Sequence, residues 1–328
     1  MNKTILILIL IFIKIPECLC QKNDSLSYQL FKDRLVFYSD IGINSAPFNL
    51  KDNFNLGIEK IKYRNNIKPT LGFGFNYQWL AIRIGFNLPV NILNKEKYGD
   101  TKYFNINIKS NVNNFFFTVD FKNYRGYSII DAYKFNNDIE NNLIMPSNNA
   151  MSISTNLWYL KNKTFKMRAF EGKSGHFNSE SKTMYLKGTL NYFNIHNNSQ
   201  NIIPTELADS IDYKNAEEIG ALDFGIIPGF AYGNRIKNWQ FGLFLGLGGV
   251  IQTKYYTKNN STRSYIGIAP RFDFKFCGGY SKSNYFILLV SDFDIRSVRI
   301  NNLNYNHTFY NVRITGGFRL KTKKKDYQ

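Results

Sequence analysis

Apolar and polar residues alternate with a period of two along most of this chain. Leu80, Ile82, Ile84, Phe86 and Leu88 are separated by Ala81, Arg83, Gly85 and Asn87. Phe104, Ile106 and Ile108 alternate with Tyr103, Asn105, Asn107 and Lys109, and Phe115, Phe117, Val119 and Phe121 with Phe116, Thr118, Asp120 and Lys122. Further on, Ile266, Ile268, Phe272, Phe274 and Phe276 oppose Gly267, Ala269, Arg271, Asp273 and Lys275. Near the end, Tyr310, Val312, Ile314, Phe318 and Leu320 oppose Asn311, Arg313, Thr315 and Arg319. A period of two puts each set on one face of a β-strand. The pattern predicts strands over 34–43, 53–63, 68–77, 79–88, 102–110, 114–122, 150–160, 164–171, 182–196, 218–232, 239–254, 263–276, 284–297 and 307–320.

Soluble sandwiches and transmembrane barrels both contain such strands. Soluble strands average about six residues, whereas stretches such as Trp239 to Lys254 and Met184 to Ile195 reach or exceed the roughly 9–11 needed to cross a bilayer at a tilt. The apolar face is dense in Phe, Leu and Ile, and the other face mixes Gly, Asn, Thr and charges, as expected of a lipid-facing wall around a wet interior. Closure would also remove the edges of so many aromatic strands. The fold class is therefore all-β, a single closed antiparallel transmembrane β-barrel. Short periplasmic turns should alternate with long outer loops. Counting back from a periplasmic C-terminus makes 197–217 an outer loop but 123–149 a long periplasmic one. One strand between 123 and 217 is thus surplus, and an even total needs a second correction, placed at 34–43. Twelve strands result, with ten to fourteen open.

The first twenty residues read as a secretory signal peptide: Lys3, then the apolar run Ile5 to Ile13, then Pro16, with Cys18 and Cys20 at −3 and −1 of a cut before Gln21. Nine apolar residues are too few for a spanning helix, which needs about 20. Neither Cys18 nor Cys20 follows a lipoprotein-type Leu-small-small triplet. The remaining organisation is an N-terminal periplasmic segment at 21–33, the barrel at 34–320 and a basic tail at 321–328. Without the leader only Cys277 remains, so no internal disulfide can form. Mean hydropathy is −0.32 despite 29 Phe and 22 Tyr, so the apolar residues are dispersed rather than gathered in a membrane helix.

The chain carries +18. The leader holds Lys3, Lys14 and Glu17, leaving +17. Such a charge favours an anionic partner. Export and the lack of a basic helix argue against nucleic acid. Outer-membrane lipid and lipopolysaccharide phosphates are the expected partners, the latter met by Lys254, Lys258 and Arg263, together with the machinery that assembles such barrels. Coupled enrichment of Asn, Lys and Ile, as in AT-rich genomes, accounts for part of the excess.

Three stretches carry a resemblance: Leu71 to Leu80 (Leu-Gly-Phe-Gly-Phe-Asn-Tyr-Gln-Trp-Leu), Tyr98 to Asn105 (Tyr-Gly-Asp-Thr-Lys-Tyr-Phe-Asn) and Asp120 to Tyr127 (Asp-Phe-Lys-Asn-Tyr-Arg-Gly-Tyr). Their order resembles a domain-of-unknown-function family of presumed outer-membrane barrels from Bacteroidetes-type bacteria, over nearly the whole chain after the leader. The resemblance implies outer-membrane location and barrel architecture, and it brings no catalytic residues.

The inward face offers Arg83, Asp120, Lys122, Asp223, Arg271, Asp273, Lys275, Asp292, Asp294, Arg296, Arg313 and Arg319 as charged lumen candidates. Mixed charges line an aqueous pore or close it as a salt-bridged plug, and both signs in a narrow lumen favour bracing over conduction. The chain holds only His176, His196 and His307, none in a hydrolase motif. His176 reads as a solvated loop residue, and no metal spacing or cofactor motif is present. Gly72 with Gly74, and Gly246 with Gly248 and Gly249, lack the residues of a phosphate loop and read as packing positions in the wall. Trp79, Trp158, Trp239, Tyr159, Tyr255, Tyr256 and Tyr285 suit an aromatic girdle. The expected role is structural, or limited passage or binding through a charged lumen, without enzymatic activity. The alternatives are a secreted soluble β-barrel binding a small apolar ligand and a lipid-modifying barrel enzyme.

Overall fold

A computed structural model describes residues 27–322 apart from 53–59, 135, 137, 140, 199, 205–215, 260 and 301–302. The expected signal peptide lies outside the described residues, as does most of the basic tail.

Twelve antiparallel strands close a ring: β2 (Arg34–Ser45), β5 (Pro69–Tyr77), β6 (Leu80–Asn87), β7 (Lys102–Val112), β8 (Phe115–Ile130), β9 (Leu143–Leu160), β11 (Ser181–His196), β12 (Glu218–Ile236), β13 (Trp239–Lys258), β14 (Ser261–Ser281), β15 (Tyr285–Ile300) and β16 (Leu303–Lys321). β16 returns to β2, with Ile314 opposite Ile41 and Phe318 opposite Phe37. Four shorter strands complete the set: β1 (Tyr28–Leu30), β3 (Phe48–Asp52), β4 (Ile61–Arg64) and β10 (Gly175–Phe177). Two single-turn helices, α1 (Lys95–Tyr98) and α2 (Met167–Phe170), lie in connections.

Both described ends of the chain lie at one rim, the terminal end. Turns there are tight: Gln78–Trp79, Asn113–Asn114 and Lys237–Asn238 each join two strands, with Gln78, Asn113 and Lys237 in the left-handed region. The opposite rim, the loop end, carries the connections 88–101, 131–142 and 197–217.

The barrel's outer face is apolar. Phe37, Ile41, Phe73, Ile84, Leu190, Phe224, Ile251, Ile287 and Ile314 project outward while Arg83, Asp223, Arg271 and Asp273 are buried within. In water such a belt would far exceed the few hundred Å² of contiguous apolar surface that soluble monomers expose. Closed strands with an apolar exterior and a polar interior are the arrangement that satisfies every backbone group in lipid. The chain is a membrane-spanning β-barrel.

Four details differ from the sequence reading. The segment 164–171 is not a strand. It is part of a 20-residue connection, 161–180, that carries α2 and β10 into the terminal end of the barrel. The alternation of Phe165, Met167 and Ala169 reflects burial in that plug, where all three are covered. The segment 53–63 lies mostly outside the described residues, and its described part belongs to β4, which is not one of the twelve. The segment 34–43 is a true wall strand. Finally, β8 continues to Ile130 and β9 begins at Leu143, so the apparent long 123–149 connection shrinks to a loop-end loop.

The wall narrows toward the loop end because β5, β6 and β7 stop early. There β3 pairs with β16 (Leu303 to His307), and β4 joins β3 to β8 (Ser128 to Ile130). Two strands thus replace the four, β2 and β5 to β7, that fill the same arc lower down.

Candidate functional site

Side chains fill both mouths of the lumen. At the loop end Phe48, Tyr63, Tyr127, Phe193, Ile195, Ile219, Tyr256, Val298 and Tyr305 form one buried cluster with Ile202, Ile203 and Ala216 from the 197–217 connection. Phe48 and Tyr63 stack at 4.3 Å, and the Tyr63 hydroxyl donates to the Ile202 carbonyl at 2.9 Å. At the terminal end the plug's Phe165, Met167, Ala169, Phe170 and Phe177 pack on Val36, Trp158, Tyr185, Phe244 and Phe286 of the wall. Phe170 meets Phe244 edge-on at 4.5 Å. Arg319 fastens this plug. Its Nε donates to the Lys173 carbonyl at 2.6 Å, and its Nη2 to the Gly172 carbonyl at 2.5 Å and to Ser281 Oγ at 2.8 Å.

Between these clusters lies a polar chamber of about 110 Å³. Ten of the twelve candidate charges line it: Arg83, Asp120, Lys122, Arg271, Asp273, Lys275, Asp292, Asp294, Arg296 and Arg313. Asp223 stands one layer behind, paired to Arg271. Arg319 lies apart, at the plug.

Tight pairs surround the chamber. Arg83 grips Asp40 through two bonds, Nε to Oδ2 at 2.6 Å and Nη2 to Oδ1 at 2.7 Å, and reaches Asn105 at 2.6 Å. Asp120 is 3.0 Å from Lys122 and accepts from Asn105 and Asn107. Asp273 accepts from Lys187 at 2.8 Å, the Tyr185 hydroxyl at 2.9 Å and the Trp158 indole at 3.4 Å. Arg296 bonds Asp294 at 2.8 Å and Ser152 and Ser154 at 2.6 and 2.8 Å, with its guanidinium over the Phe309 ring. Asp292 is looser: Lys275 and Arg313 stand 3.9 and 3.8 Å away.

Sequence reasoning missed Lys109, Lys187 and Asp40, although their strand parity marks them as inward. It also missed Glu171 and Lys173, which belong to the misread plug. Glu171 pairs with Lys109. Burial alone would raise the Glu171 carboxyl, but Lys109 and Lys173 hold it below its usual value. Trp158 and Tyr256 are not girdle residues. Both are buried inside, as they must be if their neighbours Tyr159 and Tyr255 face out. Trp79 and Trp239 are exposed near the terminal end.

His176 is buried rather than solvated, with Nδ1 3.0 Å from the Phe177 carbonyl and against Arg235. His307 sits between the Tyr305 hydroxyl at 2.7 Å and the Ala46 carbonyl at 3.0 Å. Among the described residues no three His, Cys, Asp or Glu side chains are placed to hold a metal ion. Four of the five glycines are packing positions: a Cβ on Gly72 would strike Arg83 and Asp40, one on Gly74 the Tyr38 ring, one on Gly246 the Tyr185 hydroxyl and one on Gly248 the Ile226 carbonyl, whereas Gly249 has room for a Cβ.

A family model described as a domain of unknown function matches residues 22–320. No curated protein matches the chain. Among solved structures, the outer membrane protease OmpT of Escherichia coli aligns at 9% identity and a TM-score of 0.40, covering 90% of this chain and 98% of that one. The translocator domain of the autotransporter NalP from Neisseria meningitidis gives 8% and 0.40, with 86% and 88% covered. The Pseudomonas putida toluene transporter TodX gives 6% and 0.27, with 89% and 91% covered. Likeness at this level transfers no activity or ligand.

Proposed function

The chain belongs to the DUF4421 family, and from that premise we propose that it is a sealed, non-conducting outer-membrane barrel, structural in role, whose charged interior braces the wall. The observation that carries this reading is the aromatic fill of both mouths, with Phe48, Tyr63 and Tyr305 at one end and Phe165, Phe170 and Phe244 at the other. Ions would have to displace packed side chains to cross, and burying each such side chain contributes on the order of 1.5–3 kcal/mol.

The bracing role is supported by the pairing of Arg83, Lys122, Arg271 and Arg296 with carboxylates around the chamber. A non-enzymatic reading is favoured by His176, held by the Phe177 carbonyl, and by His307, held between the Ala46 carbonyl and the buried Tyr305 hydroxyl inside the aromatic cluster of the loop end. Lys254, Lys258 and Arg263 lie on the β13–β14 hairpin at the loop end, where lipopolysaccharide phosphates would be within reach if that end faces outward.

Planar bilayers test the proposal. The intact protein should show no steady conductance, and deletion of 166–174 should open one. A stable ohmic current through the intact protein, with ion selectivity altered by Arg271→Glu, would replace the sealed-barrel reading with a pore.

A further inference from the structure

The ring has one weak arc. β14 and β15 pair only from Ser281 opposite Phe286 up to Phe274 opposite Phe293. Beyond that point, among the described residues, 261–273 of β14 bond only to β13 and 294–300 of β15 only to β16. Pro270, which has no N–H to donate, falls in this stretch, where an edge strand tolerates it. Side chains substitute for the missing ladder. Gln252 Nε2 donates to the Ser297 carbonyl at 3.0 Å, and Arg271 Nη1 approaches the Ile295 carbonyl at 3.5 Å.

The seam begins at the level of the chamber, since Asp273 and Asp294 are the first residues beyond the last pair and both line it. Ile266 and Ile268, level with Thr253 and Ile251 of β13, carry the apolar outer face past the start of the seam, so the seam opens within the lipid-facing wall.

We propose that the chamber is reached through this wall, between β14 and β15, and binds the phosphate head of an amphiphile whose chains stay in the membrane. Eight cationic and five anionic side chains line the chamber. Asp40 and Asp223, one layer behind, offset two of the charges, and the balance remains positive. Lys275 and Arg313 are the least committed cations, at 3.9 and 3.8 Å from Asp292. Arg271, 2% exposed, and Arg313 each keep a buried Nε without a partner. A cavity of about 110 Å³ admits a head but not its chains. These would lie outside on Ile266 and Ile268, which at 79% and 84% exposure are the barest large apolar side chains among the described residues.

The proposal rests on the sealed mouths, and conductance tests the seal separately from the binding measured here. Trp158, beside Lys187 and Lys275, serves as the reporter in a Trp79→Phe, Trp239→Phe background. Dihexanoyl phosphatidic acid should change its fluorescence saturably in the folded protein. Dihexanoyl phosphatidylcholine and inorganic phosphate should each bind at least tenfold more weakly, as should phosphatidic acid to the Lys275→Gln, Arg313→Gln variant. A bulky maleimide on Ile295→Cys should abolish binding. Silence toward phosphatidic acid would overturn the proposal, as would no loss in the double variant. Equal binding of phosphatidylcholine or free phosphate would overturn the ligand class, and undiminished binding after the maleimide would overturn the lateral route.

Discussion

Arg83 on β6 and Asp40 on β2 hold each other bidentately across β5, and they can do so because Gly72 between them has no side chain. A buried guanidinium stripped of its carboxylate is strongly destabilising, by about 3–5 kcal/mol. Asp40→Asn should therefore lower the temperature at which the folded band converts to the unfolded band on gels. Gly72→Ala should act in the same direction, because its methyl group would push the pair apart.

Loss of Arg319 should loosen the plug without unfolding the wall. Its guanidinium joins the plug to the β14–β15 turn, donating to the carbonyls of Gly172 and Lys173 on one side and to Ser281 Oγ and the Tyr285 carbonyl on the other. In Arg319→Ala, protease should cut within 161–180 while the barrel itself resists. An uncut plug would show that apolar packing alone retains it.

Acid should weaken the plug through His176. Burial, then the Arg235 charge, pushes this imidazole down to about 4. Unfolded, it takes up a proton near the ordinary value of about 6.5. The folded state binds fewer protons between those values, so stability is retained above about pH 6.5 and falls as pH drops toward 4. Plug protection from protease should decline over that window in the native protein and stay flat in His176→Gln. The same decline in the variant would assign it to another group.

Hydrogen exchange should expose the seam directly. In 294–300, amides directed toward β14 should exchange far faster than those directed toward β16, whereas in 286–293 both sets should be protected. Uniform protection of 294–300 would mean that the seam is closed in solution.

Much of the architecture was legible in the chain because a strand's two-residue period reports which face each side chain occupies. Arg271 and Asp273 inside with Phe272 and Phe274 outside followed from parity alone. Parity fails where the backbone leaves the wall. Phe165, Met167 and Ala169 alternate like strand residues, yet they belong to a connection folded inward, and local pattern cannot distinguish burial in a plug from exposure to lipid. Position near a strand end suits Trp158 and Tyr256 to a girdle, but parity with Tyr159 and Tyr255 places both inside the barrel. The β14–β15 seam left only Pro270 as a trace, since hydrogen bonds between distant strands are not written in either strand alone.

The attachment of Arg319 to the plug also constrains how the molecule is built. Arg319 belongs to the last strand, which zips against the first, so the stopper is latched by the element that completes the ring. Sealing and completion then coincide, and no leaky cylinder need exist along the way to threaten the bilayer that receives it.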